Sequence, residues 1–184
     1  MSRPNRISKG RVTNPTFFVF CEGKTEELYI NYLRTKYRLP ILIDNKSTGN
    51  RITAKYIKNY KESKDVDPKD KTYLMYDLDA PKMLEKLQAI KNTILLSSNP
   101  CFELWFLLHY QEQNAEIEAS KCMASLVSHH KTYKKGVLDQ VLKRILNTKQ
   151  TKAIHRAEKL KKHNNPSCQV FQLIQDLESF QKSN

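Results

Sequence analysis

Phe17-Phe18-Val19-Phe20-Cys21-Glu22-Gly23-Lys24-Thr25-Glu26 decides the fold. A run of aromatic and β-branched residues ends in a glutamate and a glycine, and a helical pattern begins at once. Such a run reads as a buried strand, and Gly23 allows the tight turn out of it. Glu22 then sits at the strand's carboxyl end, where open α/β sheets place their ligands. Taken alone, it also fits a solvated loop glutamate. A second stretch with the same grammar tips the balance: Tyr73-Leu74-Met75-Tyr76-Asp77-Leu78-Asp79 is another apolar run that ends in carboxylates.

The pattern repeats outward from these two runs. Strands are expected at about 16–22, 41–43, 72–77 and 93–97. The first is followed by an amphipathic helix whose early turn carries Glu26 and Glu27, as the helix dipole prefers. Helical patterns also run over 52–60 and from Met83 to Ile90, where Pro81 suits a first helical turn. Strand and helix alternate four times with short connections, which specifies α/β: a parallel sheet of about four strands flanked by helices. The order of the strands is not readable. Asn99 and Pro100 are read as N-cap and first residue of an apolar helix from Phe102 to about Tyr110, so Glu103 falls at its fourth position. Beyond Gln111 the segments near 115–128, 136–147, 149–163 and 168–181 all read as helices. The expected organisation is a flexible basic arm over 1–15, an α/β core over 16–112 and an all-helical C-terminal extension over 113–184.

The bulk numbers narrow the class of partner. The chain has 184 residues, 39% of them hydrophobic, enough for a real core. Its four cysteines are scattered without a C-x-x-C pair, which argues against a zinc knuckle or a disulfide scaffold. No apolar run approaches a membrane span, and the first residues lack a signal-peptide core, so a cytoplasmic protein without a membrane partner is expected. A net charge of +13 makes a polyanion, most simply nucleic acid, the expected partner.

The acids form a constellation. With side chains alternating along a strand, Asp77 and Asp79 share a face, and neighbouring strands lie about 4.8 Å apart. If the first and third strands are neighbours, Glu22 faces that pair across one strand spacing. Three carboxylates so close repel unless cations lie between them. Hard oxygen ligands of this kind suit Mg²⁺ or Mn²⁺. Glu103, after the fourth strand, is placed to add a fourth carboxylate.

Cys21-Glu22-Gly23-Lys24-Thr25-Glu26, Tyr76-Asp77-Leu78-Asp79, Ser98-Asn99-Pro100-Cys101-Phe102-Glu103-Leu104-Trp105 and the late Asn165-Pro166-Ser167 together resemble the RloB family of bacteria and archaea. The match runs in order from about Thr16 onward, and S-N-P-C-F-E is its most specific block. The resemblance implies a TOPRIM-like core, as in topoisomerases, primases and OLD-family nucleases. In that fold a glutamate after the first strand does acid–base chemistry and a D-x-D pair binds Mg²⁺. By position, Glu22 becomes the acid–base residue, Asp77 and Asp79 the metal ligands and Glu103 an auxiliary ligand, with Glu22 also within the metal set. The resemblance further implies antiviral, restriction-associated defence beside an ATPase partner protein.

The stretch from Lys121 to Lys162 holds twelve Lys or Arg (121, 131, 134, 135, 143, 144, 149, 152, 156, 159, 161, 162) against two acids, Asp139 and Glu158. Lys134, Lys135, Lys143, Arg144, Lys152 and Arg156, with Lys24, are the candidate phosphate contacts, although a solvated helical face explains any one of them equally well. Tyr133 among them fits either stacking on a base or internal packing. Adjacent His129 and His130 diverge on a helix and make a poor metal pair, and His109 reads as a core histidine. The expected activity is Mg²⁺-dependent phosphodiester cleavage of DNA or RNA by a metal-dependent endonuclease. The alternative is a non-catalytic module of the same fold that binds nucleic acid or a nucleotide and recruits a partner.

Overall fold

The computed structural model describes residues 15–44, 51–64, 66–78 and 82–183. The basic arm over 1–15 therefore falls, apart from Pro15, outside the described residues, as does Asp79. Strand β1 (Phe17–Cys21) is followed by α1 (Lys24–Tyr37), β2 (Ile41–Asp44), α2 (Ala54–Glu62), β3 (Lys71–Asp77), α3 (Met83–Gln88), β4 (Ile94–Asn99) and α4 (Glu103–Leu107). Four more helices follow: α5 (Ala119–His129), α6 (Gln140–Thr148), α7 (Gln150–Glu158) and α8 (Phe171–Ser183), with the two-residue strand β5 (Ser167–Cys168) before the last.

The sheet runs β2-β1-β3-β4-β5, with the first four strands parallel and β5 antiparallel to β4. β3 is thus central and β1 is its neighbour, the arrangement that brings Glu22 beside Asp77. Each central strand is buried on both faces, which is why its sequence is continuously apolar rather than alternating. The alternation shows in three dimensions instead. Phe17, Val19, Cys21, Tyr73 and Met75 face a large core shared with α1, α4 and the C-terminal helices. Phe18, Phe20, Leu74 and Tyr76 face a smaller one made with α2 and α3. Asp77, two residues beyond Met75, therefore belongs to the α1 and α4 side.

Two local readings change. The C-terminal third is helical as expected but also contributes β5, which pairs Ser167 and Cys168 with Asn99 and Ser98. That pairing decides the second change. Asn99 is the last residue of β4 and not a helix cap, because its backbone is committed to the ladder and its side-chain amide donates to the His163 carbonyl at 3.3 Å. The helix begins later, and Glu103 is its first residue rather than its fourth. The shift moves Glu103 to the helix end nearest the carboxyl edge of the sheet.

Candidate acidic site

The site grows from the end of β1. The Glu22 backbone N–H still donates to Met75 of β3, at 3.1 Å, so the ladder holds Glu22 one residue past the strand. Its side chain then crosses the gap: Glu22 Oε2 accepts the Asp77 backbone N–H at 2.9 Å. Two acidic residues on adjacent strand ends are thereby locked together by one charge-assisted bond. Gly23 caps α1 with extended backbone. A Cβ there would lie 3.0 Å from Glu26 Oε2, so the glycine leaves room for the Glu26 carboxyl to fold back over the turn. Glu26 is 4% exposed, and its Oε2 is buried without a hydrogen-bond partner.

Burial and mutual repulsion show in the proton affinities. The Asp77 carboxyl is pushed up to about 9, chiefly by burial, with Glu26, Cys101, Glu22 and Glu103 adding to it. Glu26 is pushed up to about 7, again chiefly by burial; its own backbone N–H and Lys135 oppose the shift, and Glu103 and Glu22 add to it. Glu103 is 1% exposed and projects from the start of α4. Its Oε1 accepts the Tyr133 hydroxyl at 3.2 Å and lies 3.9 Å from Lys135 Nζ. Glu22, Glu26, Asp77 and Glu103 thus form one electrostatic cluster at the carboxyl edge of the sheet. Among the described residues, no three His, Cys, Asp or Glu side chains stand close enough to hold an ion together.

Glu26, which in sequence reads only as a residue suited to the helix dipole, is a member of the site that sequence reasoning misses. The available signal was its spacing: four residues past Glu22, one helical turn beyond a glycine. The cationic candidates separate. Lys135 faces Glu103, Asp77 and Glu26, and Lys134 is exposed beside it. Lys24 pairs with Glu27 at 3.0 Å on the surface. Lys143 lines a groove of about 350 Å³ with Leu28, Tyr32 and Leu138, while Arg144 and Lys152 are exposed. Arg156 is spent elsewhere: its Nη1 donates to the Leu108 carbonyl at 2.7 Å, past the end of α4 remote from Glu103. Tyr133 packs internally, buried and edge-on to Phe106 with ring centres 6.0 Å apart. His109 is a core histidine. Its Nδ1 donates to the Trp105 carbonyl at 2.8 Å, and burial pulls its proton affinity down to about 4.

These features define an α/β protein with a mostly parallel sheet and a largely buried cluster of carboxyl groups at the carboxyl edge of its parallel strands. The chain belongs to the RloB-like protein family, whose family model matches residues 17–177. No curated protein and no solved structure matches it. No helix among the described residues is long and apolar enough to cross a membrane.

Proposed function

We propose that the protein is a Mg²⁺-dependent, TOPRIM-like phosphodiester-cleaving enzyme acting on DNA or RNA, working in phage defence with an ATPase partner. The observation that carries the reading is the contact between Glu22 Oε2 and the Asp77 N–H, around which Glu26 and Glu103 converge. Buried carboxyls are normally hydrogen-bonded or paired. The defence setting and the ATPase partner come from the family resemblance alone.

A hard divalent cation suits the chemistry of this donor set, and binding one would draw together carboxyls that, among the described residues, do not stand close enough to hold it. Every ligand is a carboxyl oxygen, and Glu26 Oε2 is buried without a partner. Groups that bind a proton as tightly as Asp77 and Glu26 do also gain most from a cation in its place. Glu22, Asp77, Asp79 and Glu103 would hold the ion, joined by Glu26. Mg²⁺ bound there supplies charge neutralisation at a phosphate oxygen and a water of lowered pKa. Glu22, fixed at the strand end, is the group placed to pass a proton to or from the attacking or leaving oxygen. Lys135, which faces Glu103, Asp77 and Glu26, and the adjacent exposed Lys134 would guide a phosphate backbone to an otherwise repelling pocket. Tyr133, which reaches the acids, is already bonded to Glu103. Water is the simpler attacking group.

The test is cleavage of end-labelled single- and double-stranded DNA and RNA with Mg²⁺ or Mn²⁺, with and without a neighbour-encoded ATPase. Cleavage that needs the divalent ion and disappears in Glu22→Gln supports the reading. Tight, metal-dependent nucleic-acid binding without turnover would move the assignment to the non-catalytic module.

A further inference from the structure

We propose that His130–Asp139 is a strap that holds Lys135 at the acid cluster as the cation that meets a substrate phosphate, with His130, Asp139 and Tyr133 as positioning residues. The inference rests on the nuclease reading and adds to it a charge-stabilising residue and the device that aims it.

The strap is closed at its base. His130 Nε2 donates to Asp139 Oδ2 at 2.8 Å, and the Thr132 hydroxyl donates to the same oxygen at 3.1 Å. Asp139 in turn caps α6, its Oδ1 accepting the Leu142 N–H at 2.7 Å. His130 is the C-cap of α5, 5% exposed, and its Nδ1 lies 3.1 Å from the Tyr110 hydroxyl. Two helix ends are thus clasped together, and the segment between them cannot drift from either. It is also pinned over the acids. The Gly136 N–H donates to Thr25 Oγ1 in the first turn of α1, at 2.9 Å. Gly136 has φ +73, a conformation that strains other residues. Tyr133, two residues before Lys135, reaches Glu103.

The result is an ammonium group with an unusual posting. Lys135 keeps 67% of its side chain exposed while the carboxyl it faces is 1% exposed, so the charge stands at the boundary between the buried acids and solvent. At 3.9 Å from Glu103 Oε1 it is attracted without a short hydrogen bond. Its donors remain available to a phosphate oxygen. A preorganised cation at that place stabilises charge as it develops on the phosphate.

One consequence separates this role from a structural one. Lys135 and a divalent ion use the same carboxyls and repel each other. Removing the lysine charge should therefore tighten metal binding while slowing cleavage. The full chain, with its ATPase if cleavage needs one, is measured as wild type, Lys135→Gln, Lys135→Arg and Lys121→Gln. Mn²⁺ affinity is read by electron paramagnetic resonance without nucleic acid, and kcat and KM on an oligonucleotide at saturating Mg²⁺. Lys135→Gln should lower kcat about 10- to 100-fold with little change in KM. It should tighten Mn²⁺ about 2- to 5-fold. Lys135→Arg should recover most of the rate, and Lys121→Gln should match wild type. Asp139→Asn preserves a good helix cap and should shift both readouts in the directions of Lys135→Gln. The double variant should be no worse than Lys135→Gln alone, because both act through one group. Unchanged kcat in Lys135→Gln, with wild type cleaving, overturns the strap and leaves the nuclease standing. Weakened Mn²⁺ binding with a lowered melting temperature assigns Lys135 a structural role and also overturns it. A wild type that binds no Mn²⁺ and cleaves nothing removes the nuclease reading and the strap together.

Discussion

Acids are treated in opposite ways at two places in this molecule. On α8, Asp176 accepts from the Tyr73 hydroxyl and from Lys71 Nζ, both at 2.6 Å. Glu178 accepts from Gln150 Nε2 at 2.7 Å and from the Tyr37 hydroxyl at 3.1 Å, with Lys36 closing the circle on Gln150 at 2.7 Å. Donors saturate these carboxylates, and through them α8 is tied to β3, α1 and α7. At the carboxyl edge of the sheet, Glu22, Glu26, Asp77 and Glu103 crowd one another instead, with Lys135 facing three of them, Glu103, Asp77 and Glu26. The first arrangement is what stability selects. The second costs stability, the pattern of a site kept for function rather than for folding.

The sharpest break between the two regions is mutational. Asp77→Asn should reduce Mg²⁺-dependent cleavage by orders of magnitude while the melting temperature, without divalent ions, stays equal or rises, since one member of a repelling set is neutralised. A variant that cleaves normally would put the chemistry elsewhere. Asp176→Ala should do the reverse. It strands the buried Tyr73 hydroxyl and should cost about 1–3 kcal/mol in denaturant unfolding, with the folded fraction cleaving at the wild-type rate.

A pH series sharpens the contrast. Asp77 at about 9 and Glu26 at about 7 bind protons more tightly when folded than in the unfolded chain, where carboxyls titrate near about 4. Their contribution to stability is complete below about pH 4 and is lost as pH rises through 7 and then 9. Without divalent ions, wild type should therefore lose melting temperature relative to Asp77→Asn between pH 5 and 9. Added Mg²⁺ should shrink that difference. A flat difference would mean that burial and the neighbouring acids do not raise the proton affinity of Asp77 as described. The smallest effect belongs to Gly23→Ala. Its new Cβ would press on Glu26 Oε2 from 3.0 Å and should lower the cleavage rate by a few fold with little loss of stability.

The alternation of apolar runs and helices made the parallel sheet legible, because strands buried on both faces carry their signature within one segment. Glu22 and Asp77 were legible for the same reason: each stands at the end of such a run. What stayed hidden depends on contacts distant in sequence. The order of strands is set by pairing between segments, and Asn99 was misread because its local propensity for capping yields to β5, which arrives only at Ser167. Glu26 was hidden by an adequate local explanation, the helix dipole. The lysines of 121–162 look alike in sequence. Only the fold separates Lys135, brought to the acids by its loop, from Arg156, bonded to the carbonyl of Leu108. Tyr133, readable either as a stacking platform or as core, became core through its bond to Glu103.

The central claim is that the clustered acids are a cation site, and Mn²⁺ titration followed by electron paramagnetic resonance tests it most directly. Wild type and Asp176→Ala should bind Mn²⁺ alike, with Mg²⁺ competing, while Glu22→Gln and Asp77→Asn should each weaken binding by at least about tenfold. Equal Mn²⁺ affinity in wild type, Glu22→Gln and Asp77→Asn would contradict the account.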